Sequence, residues 1–184
     1  YKEFGEIVIC ADGKNSWRKS VFPYYKANRK KARDESELDW ENLFNIMNVI
    51  REELEVYFPY KVIHIDHVEA DDIIGTLCHK YGTTMNIGEP ILIYSSDKDY
   101  IQLHVYGNVR QINPVLKKWI RNNDPDKYLA EHILRGDVGD GIPNVLSADN
   151  SLAIGERQKP MTTKRLEALS DEANMDENTK IRYH

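Results

Sequence analysis

The chain has 184 residues, 41% of them hydrophobic and 30% charged, with a formal net charge of -5. That length allows one sizeable domain with a small appendage, and the composition excludes a disordered or fibrous chain. No apolar run approaches the roughly 20 residues of a membrane helix and no signal peptide is evident, so no membrane association is expected and a cytoplasmic location is.

The net charge hides an uneven distribution. Residues 6–11 (EIVICA) form a short, continuously apolar run rich in β-branched residues, the pattern of a buried strand, with Asp12 at its C-terminal end. From residue 13 to 33 there are only cations, Lys14, Arg18, Lys19, Lys26, Arg29, Lys30, Lys31 and Arg33, interleaved with Trp17, Phe22, Tyr24 and Tyr25. Cations and rings together suit a polyanion whose phosphates meet Lys and Arg and whose bases lie against the rings. The alternative for this stretch is a solvated basic loop. Residues 29–38 swing from basic to acidic without a core-facing pattern, and read as exposed and mobile.

Residues 39–58 place Trp40, Leu43, Phe44, Met47, Ile50, Leu54 and Tyr57 at three- and four-residue steps, with Asp39 as cap and Pro59 as stop. This predicts a long amphipathic helix whose Trp40 and Phe44 belong to the core. A second strand, 61–65 (KVIHI), leads into Glu69, Asp71 and Asp72, and 70–81 (ADDIIGTLCHKY) reads as a helix burying Ile73, Ile74, Leu77 and Cys78. Residues two apart on a helix diverge, so Glu69 and Asp71 share a ligand only if Glu69 precedes the helix. Asp72 then points elsewhere, as a supporting group or as an acid favoured by the helix dipole. Cys10 and Cys78, both in apolar patterns, read as buried thiols of a reducing compartment.

After a polar loop at 82–90, a third strand (91–94) runs into SSDKD, with Asp97 and Asp99, where a short helix should begin. Residues 109–112 and 115–120 read as two further strands. Alternation of strand and helix predicts an α/β fold with a mostly parallel central sheet flanked by helices. Sites in open α/β sheets form beyond the carboxyl ends of the strands, and three strands here deliver Asp12, then Glu69 and Asp71, then Asp97 and Asp99. Five acids at one edge call for divalent cations, and oxygen-only ligation favours Mg²⁺, with Mn²⁺ able to substitute. Phosphoryl transfer assisted by two ions follows as the chemistry.

Residues 128–146 (YLAEHILRGDVGDGIPNVL) break a helix pattern with Gly136, Gly139 and Gly141, whose backbone freedom suits contact with a phosphate or a monovalent ion, and Asn144 could restart a helix. Asp137 and Asp140 would add two acids to the cluster; read by itself, this stretch is only a tight turn between helices. From 147 the chain turns polar, with one weak helix pattern at 163–169. Residues 171–184 read as a packed or disordered tail.

ADG followed by WRK and YYKANR, then EADD, SSDKD and GDVGDGIPN, in that order across residues 7–146, resemble the flap endonuclease family of structure-specific 5' nucleases, and within it the T-even phage ribonuclease H branch. The resemblance implies a PIN-like 5' nuclease fold, with a nuclease core at 1–124 that includes a helical arch near 26–38. It implies a helical DNA-binding region at 125–184, cut short, with a helix-three-turn-helix at 128–146. Asp12, Glu69, Asp71, Asp97 and Asp99 match the family's metal-binding acids, with Asp137 and Asp140 completing the second position. Lys26 matches the active-site lysine and Arg18 the neighbouring arginine at the scissile phosphate.

Lys14, Arg29, Lys30, Lys31 and the three loop glycines become candidates for nucleic-acid contact. The resemblance further implies a monomer acting on RNA-DNA hybrid and on flapped or nicked duplex, removing RNA primers and flaps in phage replication in the host cytoplasm. Two Mg²⁺ ions, a possible K⁺ in the 136–143 loop, and a replisome clamp and single-strand-binding protein as partners belong to the same expectation. The family's strand before residue 6, with its own metal-binding Asp, has no counterpart here. The alternatives are therefore a nucleic-acid-binding fragment without activity and, more remotely, a metal-dependent phosphatase.

Overall fold

The computed structural model describes residues 4–84 and 88–184; the side chains of Lys31 and Ala32 lie outside the description, and so does the part of the predicted 82–90 loop at residues 85–87. The chain divides into two compact units, Tyr1–Trp17 with Asp39–Asp126, and Arg18–Leu38 with Lys127–His184. The basic segment therefore groups with the C-terminal residues and interrupts the sheet unit.

In the first unit, β1 (Val8–Ala11) pairs in parallel with β2 (Lys61–His64), with Cys10 opposite Ile63. A second sheet has the order β3-β4-β5: β3 (Ile91–Tyr94) lies parallel to β4 (Val109–Asn113), which turns back antiparallel into β5 (Lys118–Ile120). The predicted fifth strand began at Val115. Instead Asn113 Oδ1 accepts from the N–H groups of Val115 and Leu116, and Lys117 takes a φ of 53°, so residues 114–117 form the hairpin turn and the strand starts at Lys118. The apolar run there fills a turn, with Val115 81% exposed.

The helix α4 (Ala70–Tyr81) has its predicted bounds and buries Ile73 and Cys78. Cys78, Ile93, Tyr100 and Val109 form one core cluster, joined by Ile74, Ile91, Leu103 and Tyr106. Both cysteines are free thiols, and burial pushes Cys78 up to about 11. The helix α3 (Trp40–Tyr57) is capped by Asp39, whose side chain accepts from Asn42 N, and ends before Phe58. Its apolar stripe is present, but the expected burial is not: none of its residues is buried, and Phe44 is 47% exposed. Two short strands offer too little surface to cover an 18-residue helix.

In the second unit, α1 (Arg18–Val21) and α2 (Ala27–Asp34) carry the basic stretch. The segment 29–38, read as exposed and mobile, is helical as far as Asp34, and most of its described residues are exposed. The helix α5 (Pro125–Arg135), which begins at the end of the first unit, leads into residues 136–143, closed by a bridge between Asp137 and Ile142. No helix restarts at Asn144. Its buried side chain accepts from Leu146 N and the Ser147 hydroxyl and donates to Lys159 O, holding turns that a helix could not satisfy. The tail is ordered: α6 (Thr163–Leu169) and α7 (Glu177–Tyr183) follow, and Leu134, Val145, Leu166, Leu169 and Met175 make the core of this unit.

Candidate functional site

In the sheet unit, the ends of β1, β2 and β3 bring their acids together. Asp12, one residue past β1, accepts through Oδ1 from the N–H of Ala70 at 2.8 Å, so the end of β1 is tied to the first turn of α4. Gly13 makes this join possible. A Cβ there would lie 2.0 Å from the Ile65 carbonyl oxygen and 2.8 Å from that of Val68, and the Gly13 N–H donates to Val68 O at 2.7 Å. The next residues are pinned as well, His67 N donating to Lys14 O and Trp17 N to His67 O, both at 2.9 Å. Lys14 keeps an exposed side chain on this loop.

Glu69 is the N-cap of α4, the position that lets it and Asp71 serve one site, and it is buried at 7% exposure. Asp72 is a structural acid. It accepts from the Glu69 N–H at 3.0 Å and from the Trp17 indole at 3.1 Å, as expected for an acid in a helical first turn.

Asp71 carries the electrostatics of the cluster. Burial raises its carboxyl above the ordinary 3.8; the Tyr100 hydrogen bond opposes this, and the charges of Asp97, Asp12 and Asp99 push it further up. Three carboxylates from the other two strand ends thus bear on Asp71. The turn that carries the last two is ordered by its own bonds, Asp97 N to the Ser95 hydroxyl at 3.1 Å and Asp99 N to Asp97 Oδ1 at 2.9 Å, and a 3-10 helix, η1 (Asp99–Val105), follows it.

Tyr100 had no place among the sequence candidates. Its hydroxyl donates to Asp71 Oδ1. Burial first, then that bond and the neighbouring acids, raise its own pKa and keep it a donor. Only the pattern of an aromatic directly after SSDKD marked it, and core packing explained that equally well.

The second unit treats its acids differently. Asp140 Oδ2 accepts from the Tyr25 hydroxyl at 2.9 Å and lies 3.8 Å from Lys26 Nζ, while the Arg29 guanidinium donates to Oδ1. Arg29 Nε also donates to Gly139 O at 3.1 Å, and Asn28 Nδ2 to Val138 O at 2.8 Å. Lys26, at a φ of 55°, donates its backbone N–H to Asp140 O at 2.7 Å. Both Lys26 Nζ and the Arg18 guanidinium face the Tyr25 ring, at 4.7 and 5.8 Å from its centroid. Lys30 is exposed on α2.

Asp137 Oδ1 accepts from the N–H groups of Gly139 and Asp140, at 2.7 and 3.3 Å. The N–H of Gly136 goes to the last turn of α5, while those of Gly139 and Gly141 are used inside the loop, by Asp137 Oδ1 and Val138 O. Gly136 is required by shape, since at its φ of 67° a Cβ would come within 2.4 Å of Pro143.

Residues 1–132 match the model of the 5'-3' exonuclease N-terminal resolvase-like domain. Ribonuclease H of Enterobacteria phage T4 is 40% identical over 97% of this chain and 59% of its own length. A 5'-3' exonuclease of Buchnera aphidicola from Schizaphis graminum is 32% identical over 76% of this chain and 47% of its own. The chain thus spans about half to three fifths of these two relatives' length. A bacteriophage T5 flap endonuclease, in a pseudo-enzyme-product complex with DNA and metal ions, superposes with a TM-score of 0.66 at 17% identity over 97% of this chain and 72% of that one.

Proposed function

Because the chain belongs to the 5'-3' exonuclease family with the N-terminal resolvase-like domain, we propose that it is the nuclease part of a Mg²⁺-dependent, structure-specific 5' nuclease. Its substrates are 5' flaps, nicked duplex and RNA-DNA hybrid, and it removes RNA primers and flaps during phage replication in the host cytoplasm, beside a clamp and a single-strand-binding protein. The observation that carries this reading is the convergence of Asp12, Asp97 and Asp99 on the half-buried Asp71, with Glu69 capping the adjoining helix.

The donor set fits the ions. Mutually repelling, all-oxygen acids suit hard divalent cations better than zinc. Two bound Mg²⁺ ions, or Mn²⁺ in their place, would neutralise phosphate charge and supply a water of lowered pKa. Asp12, Glu69, Asp71, Asp97 and Asp99 are the proposed ligands. As the resemblance implies, Asp137 and Asp140 would complete the second position; both oxygens of Asp140 already face Tyr25, Lys26 and Arg29.

The protein's own groups do the remaining work in this proposal. Ala70 N–H and the Tyr100 hydroxyl hold Asp12 and Asp71 in orientation. Lys26 and Arg18, steadied over Tyr25, stabilise the scissile phosphate electrostatically. Lys14, Arg29, Lys30, Lys31 and the glycine-shaped loop at 136–141 contact the backbone of the nucleic acid, and that loop would be the place of a K⁺ ion. Such contacts to phosphate select structure rather than sequence.

A labelled 5' flap and an RNA-DNA hybrid, each with Mg²⁺ or EDTA, test the proposal. Cleavage should require the metal, and Asp97→Asn should lower it about 100-fold or more, beyond the usual cost of losing a supporting residue, while substrate binding persists. Metal-independent binding with no cleavage by the wild type would instead identify a binding module. Hydrolysis of a phosphomonoester, with none of a flap, would identify a phosphatase.

A further inference from the structure

Gln111 is 1% exposed, a polar side chain on β4 among apolar neighbours. Its Nε2 makes two bonds, to Ser95 O at 3.0 Å and to Asp97 O at 2.5 Å. Carbonyl oxygens only accept, so this edge of the amide must be the NH₂ group. The amide oxygen then faces His104 Nε2 at 3.2 Å, and His104 must be the donor in that contact. The amide is therefore fixed from both sides, by two carbonyls of the turn after β3 and by an imidazole of η1.

The bonds within the turn join residues two apart, and its N-terminal end is tied to β4 by Ser95 N donating to Ile112 O at 3.1 Å. Within the turn the Ser95 hydroxyl accepts from the Asp97 N–H; the Gln111 amide reaches the Asp97 carbonyl from a different strand, β4. Both of its donors are spent on backbone carbonyls of this turn, Ser95 O and Asp97 O, and the buried amide itself would be costly to leave unpaired.

We infer that Gln111, oriented by His104, is a positioning residue for the metal site: it clamps the Ser95–Asp97 backbone so that the Asp97 and Asp99 carboxylates are preset toward Asp71 before a divalent ion arrives. This rests on the metal-site reading above and goes beyond it, since neither residue is among the proposed metal ligands. Removing a group that orients metal ligands typically lowers metal affinity about 10- to 100-fold.

The test is Mn²⁺ binding to the intact protein, followed by calorimetry, alongside far-UV circular dichroism and flap cleavage across a Mn²⁺ series. Gln111→Met keeps the length and volume but cannot donate. It should fold, bind Mn²⁺ about 10-fold more weakly, and regain most of its cleavage as Mn²⁺ is raised, with the KM for the flap little changed. A defect in folding alone would not be recovered by metal. If Gln111→Met does not fold, His104→Phe decides the matter, because it leaves the amide in place without its orienting donor; a several-fold loss of Mn²⁺ affinity is expected. Wild-type Mn²⁺ affinity in whichever folded variant is measured overturns the inference. Absence of saturable Mn²⁺ binding in the wild type would overturn the metal-site reading itself, a separate outcome.

Discussion

Asp97 and Asp140 are the same side chain in two settings. Asp97 stands beyond a strand end, among Asp12, Asp71 and Asp99, and its charge raises the proton affinity of Asp71. Asp140 lies in a glycine-shaped loop and is met by Tyr25, Lys26 and Arg29. The first arrangement carries excess negative charge that an external cation would relieve; the second contains its own counter-charges. The difference teaches how to read acids in this chain: acids clustered among carboxylates depend on an ion to offset their repulsion, whereas Asp140 has counter-charges from the protein itself, whatever it adds at the second metal position.

Three measurements bear on that contrast. The largest effect expected is from metal. Mn²⁺ at 100 times its Kd should stabilise the folded protein by about 2.7 kcal/mol, provided the unfolded chain does not bind it. A denaturant titration reads this directly, and Asp97→Asn should abolish most of it. If Asp140→Asn abolished it equally, the two settings would be acting as one, and the contrast would fail.

The next effect is smaller. Asp140→Asn in metal-free protein should cost about 1 kcal/mol, because the Arg29 side chain is half exposed and its attraction is screened by water. Urea unfolding measures it, and the corresponding Asp97→Asn change should be neutral or stabilising without metal. A clear destabilisation by Asp97→Asn would mean that Asp97 too serves the fold.

The smallest effect is a slope. The folded-state pKa of Asp71 lies above its ordinary 3.8, so the folded form binds its proton more tightly than the unfolded chain. Metal-free stability contributed by this group is present below 3.8 and is lost as pH rises through the raised folded pKa. Asp71→Asn should remove that component, leaving a flatter stability profile over the acidic range. An unchanged profile would show that neither burial nor the neighbouring acids raise Asp71.

The acids at the strand ends were legible because local patterns decide them. A β-branched run fixes the strand, and the residue after it falls at the sheet edge, which placed Asp12, Asp97 and Asp99. The position of Glu69 followed from helix geometry, and the bounds of α4 from its apolar period. Tyr100 and Gln111 were not legible as supports, because their partners lie 29 and 14 residues away and an aromatic or an amide next to a strand carries no local sign of its target. The turns at 114–117 and after Asn144 were misread for a related reason. In each, an Asn side chain supplies the backbone bonds that a strand or helix would have made. The exposure of α3 shows the remaining limit: a 3.6-residue period identifies an apolar face, but the surface available to cover it is set by the rest of the molecule.

The parallel pairing of β1 with β2 also has a kinetic side. Roughly fifty residues separate the two strands, and the stretch between them includes the segment that packs in the other unit. By contrast β3, β4 and β5 follow one another with short connections. Closure of the long loop should lag behind formation of the three-stranded sheet. Asp97 and Asp99 would therefore be in place early in folding, and Asp12 would arrive last, so the site is completed only when the slowest strand pairing is made.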